Sequence, residues 1–193
     1  MTPETAKVLL EEQWTDERPE YWPLEGWNLH TIAVRTPMSR FVSPVILELG
    51  VYCGKFSEYL MRWFPQAKLI AVDTWRWIHP HHAEKFLNDP RNVRGAFMHH
   101  LWPYRDRVRV YQMDTIEAMH ALADEHVDWV YVDSDHRYAS VMREIDTVLR
   151  LFPDALITGD DYEAGNDVGR AVRDMANHYA LVAKRDGRFW WYE

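Results

Sequence analysis

The stretch Val45-Ile46-Leu47-Glu48-Leu49-Gly50-Val51-Tyr52-Cys53-Gly54 sets the pattern of the whole chain. Its first half reads as a short buried strand, since apolar and β-branched residues fill all positions but one. Its second half puts glycines at a strand-to-helix junction, where the backbone turns tightly and can approach a ligand closely. A helix is expected over 55–64. The same alternation then recurs: strand 68–73, strand 107–112, helix 115–124, strand 128–133, helix 137–151, strand 155–159 and helix 167–178. Strand then helix, repeated, predicts an α/β fold with a parallel sheet covered by helices on both faces. The tail breaks the alternation. Segments 180–184 and 188–192 flank Arg185-Asp186-Gly187, and Asp-Gly is a hairpin signal, so the last two strands are expected to pair antiparallel.

Before this unit, residues 3–16 have helical spacing that Arg18-Pro19 interrupts, and 17–43 mix prolines with Tyr21, Trp22 and Trp27. Residues 1–43 therefore read as a helical, aromatic cap on a domain spanning 44–193. An insertion, 74–106, separates the second and third strands and reads as a lid. It carries Trp75 and Trp77, placed to lie over a bound ligand or to pack in the core, with Trp22 and Trp27 as further walls. It also carries His79, His81 and His82, which read as exposed polar surface more readily than as a second metal site.

The net charge of −8 argues against a nucleic-acid backbone as the main partner and favours a small substrate. Cys53 is the only cysteine, which excludes an intrachain disulfide and a cysteine-based zinc site. No apolar run approaches the roughly 20 residues that span a bilayer. Met1-Thr2-Pro3-Glu4-Thr5 lacks the basic and apolar regions of a signal peptide, so a cytoplasmic location without membrane contact is expected. The aromatic N-terminal segment is a surface that a second subunit could cover.

The chemistry gathers at strand ends. Trp129-Val130-Tyr131-Val132 stops at Asp133-Ser134-Asp135-His136, and Ala155-Leu156-Ile157-Thr158 stops at Gly159-Asp160-Asp161-Tyr162. If these strands are neighbours, Asp133, Asp135, Asp160 and Asp161 converge on one crevice beside His136. Carboxylates about 4 Å apart repel by roughly 4 kcal/mol at an effective dielectric near 20, so the cluster calls for a proton or a cation such as Mg2+ or Mn2+. Asp135 reads as a turn residue bonding local amides. At the other end, Asp73 closes the second strand where an acid can accept two ribose hydroxyls. Asp114, past the third strand, either approaches an adenine amino group or caps the helix beginning at Thr115.

With Glu48-Leu49-Gly50-Val51-Tyr52-Cys53-Gly54, Asp73 and the two acidic strand ends in view, the chain from about 45 onward resembles a class I S-adenosylmethionine-dependent methyltransferase. That family has a Rossmann-like sheet of seven strands, mostly parallel, with an antiparallel C-terminal hairpin. Asp133-Ser134-Asp135-His136 followed by Gly159-Asp160-Asp161-Tyr162 is similar to the small bacterial metal-dependent O-methyltransferases of the macrolide-sugar and cephamycin-tailoring type. The resemblance implies Asp133, Asp160 and Asp161 as ligands of Mg2+ or Mn2+ and His136 as the base. It implies that Glu48, Gly50 and Gly54 hold the methionine portion of the cofactor, Asp73 its ribose, and Asp114 with Thr115 the adenine side. Tyr52, Thr74, Trp75 and Asp133 complete the expected cofactor contacts. The expected reaction is methylation of a hydroxyl on a small molecule, such as a sugar or another natural product. A nicotinamide dehydrogenase is the main rival, although Tyr52 stands where a dinucleotide fingerprint wants its middle glycine. A non-catalytic module that keeps the fold is the other.

Overall fold

The computed structural model describes residues 14–19, 35–77, 80, 83–84 and 88–193. Seven strands form one sheet: β1 (Val45–Leu49), β2 (Lys68–Asp73), β3 (Val108–Gln112), β4 (Trp129–Val132), β5 (Leu156–Gly159), β6 (Ala183–Asp186) and β7 (Phe189–Tyr192). Their order is β3-β2-β1-β4-β5-β7-β6. The first five are parallel, while β7 is antiparallel to both β5 and β6. This is the mostly parallel sheet with an antiparallel terminal hairpin expected from the sequence. Strands β1, β2, β4 and β5 are mostly apolar because both faces of a parallel sheet are covered, whereas the edge strand β6 is charged and largely exposed.

Side-chain alternation splits the core in two. Ile46, Trp129 and Tyr131 face one cluster, shared with Leu60 of helix α2 (Lys55–Trp63) and Phe97 of helix α3 (Pro90–Leu101). Leu47, Leu49, Val130 and Val132 face the other. That face is covered by Ala118 of α4 (Thr115–Ala121), Val141 of α5 (Tyr138–Leu151) and Val172 of α6 (Asp167–Tyr179). A short helical turn, α1 (Arg35–Met38), precedes β1.

Two expectations change. The insertion 74–106 is not a lid throughout, because its second half is α3, with Val93, Ala96, Phe97 and Leu101 buried. The helix begins where Asp89 accepts the Arg91 N–H at 2.9 Å and Pro90 occupies the first turn, a start signal present in the sequence. Residues 14–16, expected to end a helix, are not helical. Instead Trp14 Nε1 donates to the Val108 carbonyl at 3.0 Å, and Arg18 Nε donates to His99 O at 3.2 Å, so this segment is tied to β3 and α3. The rest of the N-terminal cap reading, including Trp22 and Trp27, and the histidines 79, 81 and 82 fall outside the described residues. Among the described residues, no helix is long and apolar enough to cross a membrane.

The strand order reverses between β1 and β4, and in such sheets ligands bind in the crevice beyond the strand ends at that switch. Gly50, at φ +89°, makes the crevice possible: a Cβ there would run into the Asp133 main chain, with Asp133 C and Ser134 Cα each only 2.6 Å away.

Candidate active site

Asp73 clasps two loops. Its Oδ2 accepts the Tyr52 N–H and its Oδ1 the Trp75 N–H, both at 2.8 Å. Each oxygen is thereby fixed in direction. Burial raises the pKa of Asp73 above its ordinary value, opposed by these amides. Tyr52 (φ +49°) and Trp75 (φ +44°) are both held in left-handed backbone, a conformation that clusters at ligand clamps. Trp75 does not stand open over the crevice. Its indole is 3% exposed, packs on Phe97 and donates Nε1–H to the Tyr52 carbonyl at 2.7 Å, locking the glycine loop from below. Trp77 is exposed, and the Thr74 carbonyl accepts Gln112 Nε2 at 3.0 Å.

Gly54 caps α2 at φ +79°, where a Cβ would come within 2.7 Å of Phe97. Glu48 lies inside rather than in the open crevice, accepting Ser57 Oγ–H at 2.7 Å. Burial, with the charges of Asp133 and Asp73, pushes its pKa up to about 8 against the Ser57 bond, so it is mostly protonated at neutral pH.

Asp114 takes the capping role, accepting Ile116 N–H at 2.9 Å and Glu117 N–H at 3.3 Å. It stands at the sheet's carboxyl edge just past β3, so the cap and an adenine contact are compatible. Thr115 Oγ1 turns inward to Glu144 Oε1 at 2.5 Å, and Ser134 Oγ reaches the same oxygen. Glu144 thus joins the loops after β3 and β4. Burial raises its pKa to about 7 against those two hydroxyls, and its other oxygen has no hydrogen-bond partner among the described residues. Neither Ser134 nor Glu144 was anticipated. The signal for Glu144 was present, because it falls on the apolar stripe of Val141, Ile145 and Val148.

At the acidic ends, His136 bridges β4 and β5. Its Nδ1 lies 3.0 Å from Asp161 Oδ2 and its Nε2 3.5 Å from Asp133 Oδ1. One ligand atom from each of Asp133, His136 and Asp161 lies within 4.8 Å of the others, and Asp160 is not part of that group. The expected trio of Asp133, Asp160 and Asp161 is therefore not the set that converges. Asp161 sits at φ +60°, and its N–H is taken by Asp160 Oδ1 at 2.5 Å, while Asp160 lines the same crevice as Asp133 and His136. Asp133 holds the His136 pKa above the ordinary imidazole value, helped by the charges of Asp160 and Asp135. Asp161 is nearer, but Arg188 Nη2 already bonds its Oδ1. Asp135 is a turn residue, accepting Arg137 N–H at 3.0 Å and bonding the Arg137 guanidinium, which lowers its pKa to about 2.

The terminal hairpin builds this corner. Trp190 Nε1 donates to Asp160 O at 3.0 Å, and Tyr162 N–H donates to Arg188 O at 2.9 Å. Gly159 lets the Trp190 ring close, since a Cβ there would meet it at 2.5 Å. Arg188 was not anticipated, and no local pattern announces it, because only the insertion of β7 beside β5 brings it to Asp161.

Residues 47–162 match the model of a family described as a methyltransferase domain. No protein of curated function matches in sequence. Solved structures share the fold. One is a putative O-methyltransferase from Klebsiella pneumoniae, at 16% identity over 88% of this chain and 82% of that chain, with a TM-score of 0.56. Another is cofactor-bound Rv0187 from MTB, at 20% identity over 90% of this chain and 83% of that one, TM-score 0.58. A third is the O-methyltransferase TomG from Streptomyces achromogenes, involved in tomaymycin synthesis and solved with SAM, at 15% identity over 78% and 72%, TM-score 0.54.

Proposed function

The chain belongs to the methyltransferase-domain family, and on that premise we propose that it methylates a hydroxyl of a small molecule from S-adenosylmethionine, with His136 as base. One observation carries the reading. The glycine loop and the histidine meet at the sheet's switch point, where Gly50 lies against the Asp133 main chain and Asp133 against His136.

The residues fit the cofactor. Asp73 presents a directed carboxylate to ribose hydroxyls at the end of β2, and the loop Gly50–Gly54 beside it is free of bulky side chains at its two glycines. The charges of Asp133 and Asp73 raise the cost of ionising Glu48, a setting that favours a cationic ligand. When bound, S-adenosylmethionine supplies a sulfonium methyl, whose S–C bond breaks as the acceptor O–C bond forms. Asp114 and Thr115 sit at the edge of the sheet where the adenine would lie.

The protein's own work is to aim and deprotonate. Asp161 orients the imidazole through Nδ1, as a carboxylate does in hydrolytic triads, and Nε2, on the side of Asp133, is the nitrogen assigned to take the hydroxyl proton. Positioning of this kind contributes a large share of such accelerations. The crevice is acidic and unsuited to a polyanion, which supports a small acceptor. TomG, which belongs to a natural-product synthesis, agrees with a small hydroxylated acceptor.

The resemblance also implied Mg2+ or Mn2+ on Asp133, Asp160 and Asp161. Two observations weigh against that set: Asp160 is not in the group whose ligand atoms converge, and a guanidinium occupies Asp161. A divalent ion bound there would sit against that guanidinium charge. No step is assigned to it here. The experiment that tests the function is calorimetry with S-adenosylhomocysteine and with NAD, followed by assay of methyl transfer to hydroxylated acceptors. Binding of NAD alone would favour the dehydrogenase.

A further inference from the structure

We infer that Arg188 stands in the place of the divalent cation, as a positioning residue that holds Asp161 on His136, so that methyl transfer at this site needs no metal ion. The inference rests on the methyltransferase reading of the same site and deepens it.

The paired ends of β4 and β5 bring Asp133 and Asp161 together on His136, and neighbouring carboxylates require compensating charge. The chain supplies it internally. Both oxygens of Asp161 are committed, Oδ1 to Arg188 Nη2 and Oδ2 to His136 Nδ1. Asp161 is 15% exposed and the guanidinium 37%, so the pair sits at the rim of the crevice, where an ion would have to enter.

The placement is built by several contacts. The Arg188 carbonyl accepts the Tyr162 N–H at 2.9 Å, which fixes the start of β7 against the loop that carries Asp161. Trp190, two residues on, binds the Asp160 carbonyl at 3.0 Å. From the other side, Asn166 Nδ2 donates to the Asp161 carbonyl at 2.7 Å. Arginine suits the task, because it is charged at every working pH. A metal would have to displace the guanidinium or bind beside it against its charge.

The test is uptake of Mn2+ by the full chain, followed by the electron paramagnetic resonance signal of the free ion, with S-adenosylhomocysteine affinity measured on the same preparation. The wild type is expected to leave the Mn2+ signal as Asp161→Asn leaves it. Arg188→Met is expected to take up one Mn2+ at least about tenfold more tightly than wild type, and Asp133→Asn in that background to lose it. Arg188→Lys, which keeps the charge, is expected to behave as wild type. Stoichiometric Mn2+ binding by the wild type, abolished by Asp161→Asn, would overturn the inference whether or not the Arg188 variants fold. A folded Arg188→Met that gains no Mn2+ would overturn it too. Loss of S-adenosylhomocysteine binding would instead count against the methyltransferase reading.

Discussion

His136 Nδ1 and Asp161 Oδ2 lie 3.0 Å apart, joining the loop after β4 to the loop after β5. The contact fixes which ring nitrogen remains for an acceptor. Removing a positioned base typically costs about 100- to 10,000-fold, so His136→Ala should lower turnover by that order while leaving S-adenosylhomocysteine affinity nearly unchanged. Asp161→Asn should also lower turnover, because the amide no longer selects the tautomer. Initial rates with an acceptor that the wild type methylates, beside calorimetry, check both; equal loss of rate and affinity in His136→Ala would make the histidine structural.

Trp75 is a lock between loops. Trp75→Phe removes the indole bond to the Tyr52 carbonyl but keeps the ring against Phe97. It should cost about 1 kcal/mol of stability, read from urea midpoints, and should weaken S-adenosylhomocysteine because the loop that Asp73 clasps is loosened. Unchanged affinity would separate the lock from the ligand site.

Two glycines make an opposed pair. Gly50→Ala places a methyl on the Asp133 main chain and forces left-handed backbone on alanine, so it should destabilise by well over 1 kcal/mol or prevent folding. Gly95 lies within α3, and a Cβ there meets nothing within 4 Å. Gly95→Ala should therefore stabilise by roughly 0.5–1 kcal/mol through helix propensity. Thermal melts of the two variants check both signs.

The buried acids set a pH dependence. Glu48 and Glu144 titrate near 8 and 7 in the fold, against 4.5 for an unperturbed glutamate. Between these values the folded state binds more protons than the unfolded one, so stability falls as pH rises. The contribution is fully present below about 4.5 and is lost through about 8. Glu48→Gln should flatten the decline in melting temperature between pH 5 and 9; an unchanged slope would place the titration elsewhere.

How far these features were legible depends on the distance over which each is written. Strands β1, β2, β4 and β5 are mostly apolar runs closed by glycine or acid, and their local signal survives folding because a covered parallel sheet makes no use of alternation. Asp186-Gly187 announced the hairpin for the same reason. Asp89-Pro90 also announced α3, yet the aromatic density around it reads equally well as a lid. The converging group takes His136 rather than Asp160, and Asp161 sits at a positive φ, neither of which a sequence prints. Arg188 reaches Asp161 only through strand order, and that is a property of the whole sheet.

The central claim is that the crevice at the β1–β4 switch holds S-adenosylmethionine beside His136. Calorimetric titration of the wild type and Asp73→Ala with S-adenosylhomocysteine and with NAD tests it most directly. The account predicts one S-adenosylhomocysteine per chain, affinity reduced at least about tenfold by Asp73→Ala through loss of the ribose bonds, and no NAD binding. NAD binding without S-adenosylhomocysteine binding would contradict it.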